Sequence, residues 1–258
     1  MRLAIKILSF LFLTTGLYGQ SKTDELFSTI DKIKSLTELT SQQEKLRLFK
    51  EHSDSLNLNI VQTNWTIKKG KKGTSTKLLT LSLGDKIFYH EFYQQRLNDD
   101  FESWSNKKLH VTADSSLLKD LNKSQNLKYG SDIVLDQLTR LPYRGIFGYA
   151  CYDAGKMPHD GLKMHELVNK VETNELEKWL VSISPVRQAY AYLGFKLLQS
   201  RDLVSLTEDT LKIMKDLESS SIPVYSCSGC TFWDYVPMSE QLTADKVDSF
   251  TQRTKKTK

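Results

Sequence analysis

The residues with the most chemical potential are three cysteines, Cys151, Cys227 and Cys230. Cys227 and Cys230 form a C-x-x-C pair, and that spacing supports three chemistries. A thiol-redox pair needs its first cysteine at a helix start after a strand, where the helix dipole lowers the thiol pKa. Val224 and Tyr225 can end a strand, but Thr231 to Pro237 carries no helical stripe and ends in a proline. A zinc site needs two further ligands. Cys151, His159 and His165 are available, but their spacing fits no zinc finger. The third chemistry is a structural disulfide, the normal fate of cysteines in an oxidising compartment. By chain entropy, closing about 77–80 residues stabilises by about 4.5 kcal/mol, and closing four by about 2 kcal/mol. A bond from Cys151 to Cys227 or Cys230 is therefore the more useful staple. One cysteine is left over in either pairing.

Other reactive groups are dispersed. His90-Glu91 and His165-Glu166 both lack the second histidine four residues on that a zinc-protease helix requires. Asp160 caps the helix that begins near His159, and the histidines read as structural or surface residues. There is no G-x-S-x-G elbow. The segment from Gly70 to Ser75 lacks phosphate-loop spacing, and its lysines suit a solvated turn. Asn64-Trp65-Thr66 is a glycosylation sequon, relevant only on a eukaryotic secretory route. Trp65, Tyr89, Phe92, Tyr93, Phe101 and Trp104 concentrate in one region and read first as core and cross-strand packing, second as a ligand or glycan platform.

The elements that must position these groups follow from periodicity. The chain has 258 residues, 39% hydrophobic and 26% charged, as in a globular protein. Residues 1–20 have the parts of a secretory signal: Arg2 and Lys6, then an apolar run from Ile7 to Leu13, then small or turn-forming residues. The run is too short to span a bilayer, and no later stretch is long enough, so the expectation is an exported soluble protein without a transmembrane segment. The formal net charge is +5. The signal contributes two of these charges and the last eight residues four, which leaves a body of −1. A nucleic-acid partner has no electrostatic footprint in that body.

Residues 24–54 read as helical, with Leu26, Ile30, Ile33, Leu46 and Phe49 as apolar marks and Thr40 or Ser41 capping a second helix. Residues 56–95 change to a period of two. Leu56, Leu58 and Ile60 alternate with asparagines, and Leu79, Leu81 and Leu83 alternate with Thr80 and Ser82. With turns at Gly84-Asp85 and at Lys68 to Gly73, this predicts a small antiparallel sheet of about three strands. From residue 114 the helical period returns. Leu117, Leu118 and Leu121 mark one helix; Val134, Leu135, Leu138 and Leu141 mark another, stopped by Pro142. Four clearer stripes run through Met164–Val171, Leu176–Ile183, Val186–Leu197 and Leu211–Leu217. Asn174, Ser184 before Pro185, and Thr207 before Glu208 supply caps. Short connections suggest antiparallel helical hairpins, HEAT-like by analogy but without a fixed repeat length.

One stretch carries a resemblance. Phe147-Gly148-Tyr149-Ala150-Cys151, Ala154-Gly155, Trp179-Leu180, Ser184-Pro185, Gln188-Ala189-Tyr190-Ala191 and Cys227-Ser228-Gly229-Cys230 together resemble a group of uncharacterised exported bacterial proteins. The resemblance covers about a third of the chain. It implies export and implies that the three cysteines belong together. It implies no activity.

The expected fold is α+β: N-terminal helices, a small antiparallel β-sheet and a C-terminal α-helical hairpin array. The expected organisation is a signal over 1–20, helices and sheet over 21–112, the array with its cysteine-containing end over 113–250, and a frayed basic tail over 251–258. The expected function is a non-enzymatic binding or interaction module for a protein or glycan, without cofactor or metal. Alternatives are a thiol-redox or metal-binding protein centred on Cys151, Cys227 and Cys230, and a hydrolase with dispersed carboxylates.

Overall fold

The computed structural model describes residues 24–69, 74–97, 104–133, 145–151, 155–229 and 232–255. The expected signal, most of the expected turn from Lys68 to Gly73, Phe101, the apolar positions at 134–141 and Cys230 lie outside these residues. The fold is α+β, and the chain divides into two compact units: residues 1–52 with 63–115, and residues 53–62 with 116–258.

The first unit opens with helix α1 over 24–31, then α2 (Leu36–Ser41), α3 (Gln43–Leu46) and β1 (Phe49–Ser55). β2 (Ile60–Lys69), β3 (Thr74–Leu83), β4 (Lys86–Leu97) and β5 (Trp104–Ala113) follow, in the sheet order β1-β2-β3-β4-β5. The sheet therefore has five strands, not about three. Strands β3, β4 and β5 pair antiparallel, and β3 turns into β4 at Gly84, whose φ of 59° suits glycine. Phe27, Ile30 and Ile33 pack with Leu39, Trp65, Leu78 and Phe92 into one core. Phe27 and Phe92 pack with ring centroids 4.2 Å apart and planes tilted by 32°.

Two further expectations in this unit are corrected. Residues 49–55 are strand, not helix: Arg47 at φ 55° ends α3, Phe49 is 68% exposed, and sheet pairing overrides the helical spacing of Leu46 and Phe49. Thr40 and Ser41 do not cap the second helix: both lie inside α2, which Ser35 caps by accepting from the Glu38 N–H, and α3 follows Gln42, which makes no side-chain cap bond. The central strand β3 is buried on both faces, since Thr80 and Ser82 are as enclosed as Leu79 and Leu81. The Thr80 hydroxyl accepts from the Trp65 indole N–H at 3.3 Å, which compensates part of that burial.

The second unit includes the hairpin tip between β1 and β2. The expected alternation of Leu56, Leu58 and Ile60 is a turn there. Leu58 and Asn59 have φ of 60° and 57°, and the Leu56 N–H donates to the Ile60 carbonyl at 2.7 Å. Asn57 in this turn is fully buried. Its amide donates to Gln188 Oε1 at 2.7 Å and to the Ser182 carbonyl at 3.1 Å.

The helices of this unit are α4 (Ser115–Tyr129), α5 (His159–Lys170), α6 (Thr173–Leu180), α7 (Pro185–Ser200) and α8 (Glu208–Glu218). A hairpin of β6 (Pro223–Ser228) and β7 (Phe232–Pro237) follows, then α9 (Met238–Gln241) and α10 (Ala244–Lys255). Helix α7 is apolar nearly all round and buried, and α5, α6, α8 and α10 pack against it. Gly194 allows the approach of α6, because a Cβ there would lie 2.9 Å from Leu176 Cδ2. Ser184 and Thr207 cap α7 and α8 by accepting from the N–H groups of Arg187 and Thr210. Asn174 and Asp160 are not caps: α6 starts after Glu172, and Pro158 precedes α5. Residues 251–255 are helical rather than frayed, because Val247 and Phe250 anchor α10 in the core. Among the described residues no helix is long and apolar enough to cross a membrane.

Candidate functional site

The cysteines define a junction inside the second unit. Residues 147–151 run parallel to β6, bridging Phe147 to Ser226 and Cys151 to Gly229. Phe147 N–H donates to the Tyr225 carbonyl at 2.8 Å, Cys227 N–H to the Phe147 carbonyl at 2.9 Å, and Gly229 N–H to the Ala150 carbonyl at 3.0 Å. This alignment brings the Cα atoms of Cys151 and Cys227 to 5.6 Å, and the two form a disulfide. The chain after α8 thus folds back onto the segment preceding α5.

Gly148 lies against the bond. A Cβ at that position would stand 2.7 Å from the Cys227 carbonyl oxygen and 2.8 Å from its sulfur, so no larger residue fits without a shift. The Tyr190 hydroxyl accepts from the Gly148 N–H at 3.0 Å and faces the Gly148 carbonyl at 3.2 Å. Phe147 packs on the Tyr190 ring at 4.9 Å and meets Tyr149 edge-on at 5.4 Å. Tyr149 donates to the Gln241 carbonyl at 2.6 Å, and burial raises its phenol pKa. Tyr192 donates to Glu218 at 2.6 Å; burial, then the Glu218 carboxylate, raise its pKa too. Both phenols are neutral structural donors.

Exchange requires a thiolate to reach a disulfide sulfur. Cys151 is fully buried and Cys227 nearly so, which shields the bond. Cys151 and Cys227 are thus joined to each other, while Cys230 lies outside the described residues. Among the described residues no group of three or more His, Cys, Asp or Glu is arranged to hold a metal.

The histidines lie apart from the disulfide. His159 is exposed beside Asp160, and His165 is partly buried against Phe250, with its pKa lowered by burial and then by Arg201. His90 is 2% exposed in β4. Burial lowers its pKa to about 4, although Asp31 opposes the shift, and its Nε2 has no hydrogen-bond partner among the described residues. His110 contacts Asp31 at 2.6 Å.

The disulfide also fixes the β6–β7 hairpin. Tyr225 stands opposite Tyr235 and Cys227 opposite Trp233, so these four side chains share one face. Tyr225 is 5.2 Å from Tyr235 and 6.1 Å from Trp233, centroid to centroid. Tyr225 and Trp233 are partly exposed and Tyr235 is 38% exposed. The Tyr235 hydroxyl donates to Asp54 Oδ1 at 2.8 Å. Beside it lies a notch of about 30 Å³, lined by Asp54, Gln62, Ser184, Tyr225 and Tyr235 among others, with room for about one water.

This aromatic row was not singled out from the sequence. Of the aromatics that were, Trp65, Tyr89, Phe92 and Tyr93 are buried packing residues, while Phe101 and the Trp104 side chain lie outside what is described. The available signal was the aromatic spacing of Phe232, Trp233 and Tyr235 directly after the C-x-x-C pair. The chain matches no family model, no curated protein and no solved structure.

Proposed function

We propose that the chain is an exported, non-enzymatic binding protein that holds a glycan on the aromatic face of the β6–β7 hairpin. The observation carrying this reading is the row Tyr225, Trp233 and Tyr235, which shares its face with the disulfide-bonded Cys227. Sugar rings present apolar C–H faces that pack on aromatic rings, while their hydroxyls need polar partners at the edge. Asp54 and Gln62 line the adjacent notch and supply such groups. A strand anchored by a disulfide keeps the rings in register at low entropic cost on binding. Export is supported by the signal-like first twenty residues and by the disulfide, which suits an oxidising compartment.

The binding test is retention of purified protein on insoluble polysaccharides, including peptidoglycan and chitin. The expected result is retention on at least one, reduced about tenfold or more by Trp233→Ala with the fold intact. Failure on every polysaccharide, or retention indifferent to Trp233→Ala and Tyr225→Ala, overturns the reading. Export is tested separately by N-terminal sequencing from the native host. The expected start is near Gln20, and a retained Met1 overturns it.

A further inference from the structure

A cavity of about 260 Å³ lies in the second unit, remote in sequence from the aromatic hairpin. Its walls include Gln125 on α4, Ser131 and Ile133 just after that helix, and Lys178, Val181 and Ile183 at the end of α6. The lining is mostly apolar, with a few converging polar groups, the usual character of a small-molecule site.

Two polar atoms of that lining, Gln125 Oε1 and Ser131 Oγ, have no hydrogen-bond partner among the described residues. Gln125 is 1% exposed. Its amide nitrogen donates to the Val181 carbonyl, and only the NH2 end of the amide can face a carbonyl. The other end, Oε1, is thereby held as a buried acceptor without a donor. Ser131 Oγ is likewise buried and unpartnered. Buried polar atoms are nearly always hydrogen-bonded, so this pair calls for an occupant. The charges at the edge are committed elsewhere: Lys178 pairs with Glu175 at 3.1 Å, and Asp132 accepts from Asn126 at 3.4 Å. The Asp132 carboxylate is exposed at the rim, and the interior surface is mostly apolar, which favours a neutral occupant over an ion.

We propose that this cavity binds a neutral, largely apolar molecule of bicyclic size that donates one hydrogen bond to Gln125 Oε1. An apolar cavity of about 150 Å³ accommodates benzene, and one water takes about 30 Å³. The space here thus exceeds what a single water fills and suits two fused rings.

The probes are indole, which carries an N–H donor, and indene, its isostere without one. Methyl signals of Ile133, Val181 and Ile183 are followed by NMR during titration of the wild-type protein. The expected result is saturable shifts at these methyls, with indole binding about tenfold more tightly than indene. Val181→Phe, which fills the cavity, is expected to abolish the shifts. The wild-type titration decides alone if that variant does not fold. No shifts up to the solubility limit overturn the site, as do shifts spread over unrelated methyls. Equal affinity for indole and indene overturns the role of Gln125.

Discussion

The Tyr190 hydroxyl reaches from the middle of α7 to the backbone of Gly148, accepting from its N–H at 3.0 Å. The contact joins the most buried helix of the second unit to the segment 147–151 beside the disulfide. Tyr190→Phe keeps the ring against Phe147 but leaves the buried Gly148 N–H without a partner. The expected cost is about 1–3 kcal/mol in denaturant unfolding. Gly148→Ala is expected to be worse, because its Cβ meets Cys227.

Reducing the Cys151–Cys227 bond frees a loop with a sequence separation of 76. The chain-entropy argument gives a loss of about 4.5 kcal/mol. Denaturant melts with and without reductant measure it, with Cys151→Ser/Cys227→Ser as the genetic equivalent. Non-reducing peptide mapping should recover a Cys151–Cys227 linked peptide. Recovery of only a Cys227–Cys230 link contradicts the pairing.

Trp179 is 6% exposed in the core around α7, with the Arg187 guanidinium 5.3 Å from its ring centroid. Trp179→Ala is expected to destabilise by about 3–5 kcal/mol. A melting curve unchanged within error would place the residue outside the core.

His90 makes the first unit acid-sensitive. Its pKa is about 4 when folded, against 6.5 for the free side chain. Between these values the unfolded chain binds more protons, so stability rises with pH. Stability from this group is complete above pH 6.5 and is lost as pH falls toward 4, by about 3 kcal/mol in all. Unfolding free energies measured from pH 4 to pH 7 should show this slope in wild type. His90→Gln should flatten it, and an unchanged slope would assign the sensitivity to another group.

What the sequence determined by itself is local. The stripes of α5 to α8 and the caps Ser184 and Thr207 depend on residues within one or two turns, and the helices lie where that spacing places them, although Val171 and Leu211 at the stripe ends are exposed rather than in the core. The Gly84 turn is equally local, since it needs only a residue tolerant of positive φ. Residues 49–60 were not legible, because Leu46 and Phe49 fit a helix and Leu56 to Ile60 fit a strand until β1 and β2 align in the sheet. The site divides in the same way. Composition and loop entropy indicate that Cys151 serves a long staple, yet Cys227 and Cys230 are equivalent partners on that argument. Only the parallel alignment of residues 147–151 with β6 brings Cys227 to Cys151. The row of Tyr225, Trp233 and Tyr235 arises from antiparallel register, a relation between two strands that neither strand's spacing contains alone.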